Sequence, residues 1–269
     1  MAGKVRVIDT TKCIGCRSCQ VACKNWNQLP ATETAFAGSY ENPSDLSSET
    51  WSRVRFNEHA DNGEVKWYFS FYSCMHCSEP ACINVCQFDA LSKSGTGPVI
   101  VDRELCKGCG ACAAVCPFQV PRTGGGKMWK CTFCTDRIGN GLETACAKAC
   151  PTGTISFGDA DEKIAEAEAR VSLLQERGYA NAQIYGKEEL GGLSVIYILA
   201  DTPDKYGLPV NPEVSLATTY LWKVALAPVK ALATVGLAAG TLSSWLRLRK
   251  EKVAQEKEAE KEMAKTKGR

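Results

Sequence analysis

The chain has 269 residues, enough for one large domain or two modest ones. Apolar residues make up 45% and charged residues 23%, which excludes a disordered chain, and a net charge of +2 argues against a broad nucleic-acid footprint. Sixteen cysteines stand against two histidines, a balance that speaks against repeated Cys₂His₂ zinc sites and a bis-histidine haem.

The N-terminus from Met1 to Asp9 has no apolar h-region, so the sequence predicts no signal peptide. Residues 4–8 alternate toward a short strand. The first cysteine group follows as Cys13-x₂-Cys16-x₂-Cys19-x₃-Cys23. Residues 27–50, rich in Pro, Ser, Thr, Asn and Glu, read as a surface insertion. Trp67–Tyr72 is a second strand candidate and leads into Cys74-x₂-Cys77-x₄-Cys82-x₃-Cys86. Val99–Val101 leads in the same way into Cys106-x₂-Cys109-x₂-Cys112-x₃-Cys116-Pro117, and the last group is Cys131-x₂-Cys134-x₁₁-Cys146-x₃-Cys150-Pro151. Ile155–Phe157 follows as a strand. A helix should begin at Asp159, with Glu162 closing a capping box, bury Ile164, Ala167, Val171 and Leu174, and stop at Gly178. Leu193–Leu199 reads as a strand and Asp201–Pro212, with three prolines, as a linker.

Each quartet reads as a 4Fe–4S site. The third reproduces the bacterial ferredoxin run, in which three cysteines wrap one cubane and the fourth ligates its neighbour. Gly15, Gly108 and Gly110 allow positive φ, so backbone N–H groups can turn toward sulfur. Zinc ribbons use two C-x₂-C pairs without a trailing x₃-C-P, and disulfide frameworks belong mainly to small secreted chains. The second and third groups lie 19 residues apart, a ferredoxin-like distance, so they should pair as one module. The first and fourth then pair around it. The expected ligand sets are Cys13, Cys16, Cys19 with Cys150; Cys74, Cys77, Cys82 with Cys116; Cys106, Cys109, Cys112 with Cys86; and Cys131, Cys134, Cys146 with Cys23. Arg17, Lys24, Lys107, Arg137 and Lys148 adjoin the ligands and either offset cluster charge or lie solvated at the surface. His76, between Cys74 and Cys77, is a neighbour of one cluster or a loop bystander, and His59 reads as surface.

The resulting fold class is α+β: two ferredoxin-like two-cluster modules, one inserted in the other, plus a C-terminal transmembrane helix. Residues 1–73 and 117–158 form the split module and 74–116 the inserted one. Residues 159–213 add a packing helix, strand and linker, 214–248 the membrane helix, and 249–269 a charged tail. From Trp222 to Trp245 a helix would rise about 35 Å, matching a hydrocarbon core of about 30 Å with aromatic belts. Lys230 interrupts it, which requires tilt or a supporting partner; an amphipathic surface helix is the alternative. Gly236, Gly240 and Ser244 make a small-residue stripe suited to helix packing. Residues 247–269 carry nine basic and five acidic side chains, which would place the tail in the cytoplasm and the cluster domain across the membrane.

Four quartets, a nested module and one C-terminal helix resemble the iron–sulfur subunits of the molybdopterin oxidoreductase superfamily. Finer stretches are similar to the formate dehydrogenase beta subunits: Asp9–Arg17, Cys19–Asn27, Gly38–Pro43, Trp51, Arg55–Glu58, Lys127–Cys134, Gly186–Tyr197 and Leu221–Lys223. The resemblance implies an electron-transfer subunit without chemistry of its own. Its partners would be a molybdenum- or tungsten-pterin catalytic subunit that oxidises formate and a membrane cytochrome b subunit that reduces quinone, in anaerobic respiration. It implies a single-pass protein of the inner membrane with its clusters on the periplasmic side, exported with a signal-bearing partner. Electrons would enter at the Cys13 set, cross the inserted module and leave from the Cys131 set. The same role for another molybdoenzyme or a hydrogenase is the alternative.

Overall fold

The computed structural model describes residues 3–36, 38–61, 63–214, 240–241, 243–250 and 252. The chain divides into two units, Met1–Thr219 and Tyr220–Arg269.

The first unit is organised by a sheet that joins distant parts of the chain. Strand β1 (Lys4–Asp9) leads into the first cysteine loop and helix α1 (Ser18–Trp26). A long hairpin, β2 (Arg53–Asp61) and β3 (Glu64–Tyr72), follows the irregular segment 27–50. The inserted stretch contains α2 (Ala81–Asn84), β4 (Leu91–Lys93), β5 (Val99–Val101) and α3 (Ala111–Ala114). Then come β6 (Arg122–Gly124), β7 (Lys127–Trp129), α4 (Thr135–Gly139), α5 (Ala145–Lys148) and β8 (Ile155–Asp159). Helix α6 (Ala160–Glu176), β9 (Gln183–Tyr185) and β10 (Val195–Leu199) complete it.

The sheet order is β8-β1-β10-β9. β1 runs antiparallel to β8, with Ile8 opposite Ile155, and parallel to β10, with Arg6 opposite Val195. Side chains of a strand alternate between faces, and β1 shows it. Val5 and Val7 pack with Ala160, Ala167, Leu174, Ile196 and Ile198 under α6. Ile8 faces the opposite core with Phe71, Met75, Phe133, Tyr197 and Leu199. The cysteine loops lie on that second side, so α6 covers the sheet's far face.

Four expectations change. Asp159 does not cap α6; its carboxylate takes Lys4 at 2.9 Å instead. Asp201–Pro212 is no linker, because Tyr206 and Leu208 are buried in the main core and a single 3-10 turn spans Pro203–Tyr206. The 27–50 segment is not wholly at the surface, since Leu46 and Thr50 are buried. His59 is half-buried, with Nε2 3.0 Å from the carbonyl oxygen of Lys205 and its ring edge-on to Tyr68. Of the second unit the described residues are helical, with Arg249 over the Trp245 ring. Most of the expected 214–248 helix and the 249–269 tail lie outside the described residues. Among the described residues no helix is long and apolar enough to cross a membrane.

Candidate metal centres

Each cysteine group sits on a loop that the strands on either side bring to a partner. Cys13 follows β1 and Cys150 precedes β8. The Ile8–Ile155 pairing and the bond from Asp9 N–H to the Thr154 carbonyl therefore draw the two cysteines together. The charges of Cys150 and Cys16 act on Cys13, and those of Cys146, Cys13 and Cys150 on Cys19. The loop turns through Gly15 at φ 68°, where an added Cβ would stand 3.0 Å from the Phe56 ring, and through Arg17 at φ 64°. Cys19 and Cys23 lie one turn apart on α1, which packs on α5. That packing carries Cys23 to the fourth group, where Cys131, Cys146 and Cys134 act on it.

The inserted stretch repeats this design. Cys86 precedes β4 and Cys106 follows β5, and the Leu91–Val101 pairing closes the hairpin between them. Cys109, Cys106 and Cys86 act on Cys112, while Cys74, Cys116 and Cys82 act on Cys77. Cys74 and Cys116 act on Cys82 with Cys112 behind them. Across the junction of the two stretches, Cys131 acts on Cys74.

No two of the sixteen cysteines are joined in a disulfide. Burial first, and then neighbouring thiolates, pushes Cys82, Cys112 and Cys134 up to about 12. Such cages hold thiolates only with a positive group inside them. Among the described residues no three His, Cys, Asp or Glu side chains stand close enough for one metal ion. Sulfurs around a single zinc would be about 3.8 Å apart, given Zn–S bonds of about 2.3 Å. A cubane spreads its four ligands over four irons and takes four thiolates, which each of these all-cysteine sets supplies. Backbone N–H groups supply the usual sulfur contacts. Gly108 and Met128 donate to Cys106 Sγ at 3.4 and 3.3 Å, and Phe133 to Cys131 Sγ at 3.3 Å.

The five charged neighbours expected from sequence are engaged elsewhere or solvated. Arg17 lies over Phe56 and Arg137 over Trp26, Lys24 binds Thr32 and the Glu49 carbonyl, and Lys107 and Lys148 are exposed. Two cations that the sequence did not single out approach the cysteines instead. Arg6 is buried with Nη1 3.2 Å from Cys146 Sγ, and buried Lys130 adjoins Cys131. His76 is no bystander: it is buried against Phe133, and its Nδ1 accepts the Val99 N–H at 3.1 Å. Burial first, then the charges of Lys130 and Arg6, hold its pKa well below the ordinary histidine value.

Paired cysteine loops on a two-fold repeated βα frame define an iron–sulfur protein of the dicluster ferredoxin class. The 4Fe-4S dicluster domain matches residues 12–90 and, in a second form, residues 65–160, which together contain every cysteine. Two dicluster domains and sixteen cysteines correspond to four 4Fe–4S clusters. The nitrate-inducible formate dehydrogenase iron-sulfur subunit of Escherichia coli is 41% identical over 90% of this chain and 84% of its own length. The formate dehydrogenase-O iron-sulfur subunit of the same organism is 44% identical over 87% and 79%. Formate dehydrogenase 2 subunit beta (cytochrome c-553) of Nitratidesulfovibrio vulgaris is 37% identical over 76% of this chain and 96% of its own length. The chain belongs to the family of formate dehydrogenase iron–sulfur subunits.

Proposed function

We propose that this subunit conducts single electrons from a molybdenum- or tungsten-pterin catalytic subunit that oxidises formate toward a membrane cytochrome b subunit. When bound, the clusters supply reversible one-electron chemistry at potentials set by burial, charge and hydrogen bonds to sulfur. The protein's part is to hold them in line and open the line at both ends.

The ligand sets are those expected from spacing, and the cysteine neighbourhoods support each of them. Cys19 with Cys146 joins the Cys13 set to the Cys131 set, Cys74 with Cys131 joins that to the Cys74 set, and Cys82 with Cys112 reaches the Cys106 set. The order is therefore Cys13, Cys131, Cys74, Cys106. On this reading the exit is the Cys106 set, where the family resemblance implies the Cys131 set. The Cys131 set lies between the Cys13 set and the inserted module, so electrons leaving from it after crossing that module would have to turn back.

One observation carries this reading. Of the sixteen cysteines only Cys16 and Cys109 are exposed, and they belong to the two end sets. Electrons enter at the Cys16 end and leave at the Cys109 end, while the middle sets stay inside. The split module 1–73 with 117–158 and the inserted module 74–116 then hold two clusters each. Membrane attachment through 214–248, with the clusters on the periplasmic side, rests on the Trp-bounded apolar run and the basic tail.

The test uses the native complex, extracted anaerobically. Formate should bleach the visible iron–sulfur absorbance close to the level reached with dithionite. Bleaching by dithionite alone, with all subunits present, would leave a wire with a donor other than formate.

A further inference from the structure

Two cations lie inside the first unit without a carboxylate partner among the described residues. Arg6, on β1, is sandwiched between Phe71 and Phe133, its guanidinium 5.0 and 5.2 Å from their centroids. Its Nη1 meets Cys146 Sγ at 3.2 Å and its Nη2 donates to Ser73 Oγ at 2.7 Å. Lys130 donates from Nζ to the carbonyls of Val99 and Cys131. The N–H of the same Val99 fixes His76 Nδ1 as an acceptor, so the ring proton sits on Nε2, which is buried without a partner. A buried cation with neutral partners only is strongly unfavourable, so something anionic must face these groups.

Their position says what that is. Ser73 and His76 flank Cys74, while Lys130 and Phe133 flank Cys131, and the His76 and Phe133 rings meet at 4.8 Å. This is the junction between the two modules. We infer that Arg6 and Lys130 form a cationic partition there that holds up the reduction potentials of the Cys131 and Cys74 clusters. The inference rests on the ligand sets proposed above. Reduction adds a negative charge, and a low-dielectric interior penalises that charge. The two middle sets are the ones without an exposed cysteine, so burial alone would make the centre of the line an uphill step. Fixed positive charge offsets that penalty, and the His76 Nε2–H is a further donor for sulfur at the same place.

The test is a potentiometric titration followed by EPR on the full chain, purified anaerobically with its co-purifying subunits and checked for iron and acid-labile sulfide. Cys74→Ser and Cys131→Ser identify the two junction signals by altering them. In Lys130→Gln, with all clusters retained, at least one junction signal should titrate at lower potential, the end signals should stay, and Lys130→Arg should restore the wild-type value. Ser73→Asp sets a carboxylate against Arg6 without removing either cation and should lower a junction potential too, which covers the case of Lys130→Gln losing a cluster. Unmoved junction potentials in the loaded variants, or a shift confined to the end signals, would overturn the inference. If Cys74→Ser and Cys116→Ser alter different signals, the ligand sets fail, a result separate from any shift that Lys130 causes.

Discussion

Cys150 has an environment suited to a ligand that arrives last. Burial opposes its ionisation, yet the N–H groups of Ile155, Thr152 and Thr154 and the Thr152 hydroxyl hold its thiol below the ordinary value. A sulfur surrounded by donors is a ready thiolate for an iron offered by the Cys13 loop. Cys150→Ala should remove or alter one cluster and sharply lower formate-dependent reduction of the acceptor. Turnover with an artificial acceptor at the catalytic partner should persist. EPR and the two assays check this, and both activities intact would mean a different fourth ligand. At this scale the sequence carried the chemistry of every cysteine, because ligand spacing is local. It did not reveal Arg6 or Lys130. In Lys-Val-Arg-Val-Ile a charged residue at an alternate position ordinarily marks the solvent face. Here that face turns inward because Phe71 at the end of β3, Ser73 and Phe133 pack over it, a fact set by residues far along the chain.

Elements fix how the loops meet. The turn between β6 and β7 rests on the third cysteine loop. A Cβ at Gly108, whose φ is 61°, would lie 2.5 Å from the Gly126 carbonyl carbon. Gly108→Ala should cost on the order of 1–3 kcal/mol and disturb the Cys106 set first. Loss of one EPR signal with the others retained would show it. Helix α6 makes the opposite case. Leu174 is buried under the sheet on the face away from the cysteines. Leu174→Ala should lower stability by about 2–5 kcal/mol and leave the visible spectrum unchanged. Thermal unfolding monitored by circular dichroism, beside the absorbance, checks both halves. The periodicity of Ile164, Ala167, Val171 and Leu174 made α6 legible, as alternation made β1. Strand β2 carries local signals as well: Val54 and Phe56 alternate with Arg53, Arg55 and Asn57, and Asn62-Gly63 lies in the sequence between it and β3. The segment 201–212 misled because its prolines signal a turn but not whether Tyr206 and Leu208 beside them are buried.

At the scale of the molecule, the clusters are part of the fold's interior. The cysteine loops pack against the main core rather than replacing it, so removal of iron should loosen those loops while the sheet and α6 persist. Near-UV circular dichroism before and after anaerobic chelation measures this. The metal-free chain has a defined pH response as well. Cys82, Cys112 and Cys134 are raised to about 12, above the value of a free thiol. Their contribution to folding is present in full below the free-thiol value and is lost as pH climbs from there toward about 12. Residual structure in the metal-free protein should therefore fall over that alkaline interval, while the loaded protein, whose thiolates are already bound, changes less.

The strand order β8-β1-β10-β9 also bears on how the protein comes to exist. β1 is the first element to leave the ribosome, and both of its neighbours are among the last. At about 5–20 residues per second, it waits on the order of 10–40 s for β10. During that interval the inserted stretch, with its hairpin and eight cysteines, is already complete. Maturation then proceeds from the inside outward. The clusters of the inserted stretch can be delivered before β8 has emerged, and the Cys13 cluster only after it. Removal of everything from β8 onward spares every cysteine and would for that reason still cost the Cys13 set its cofactor.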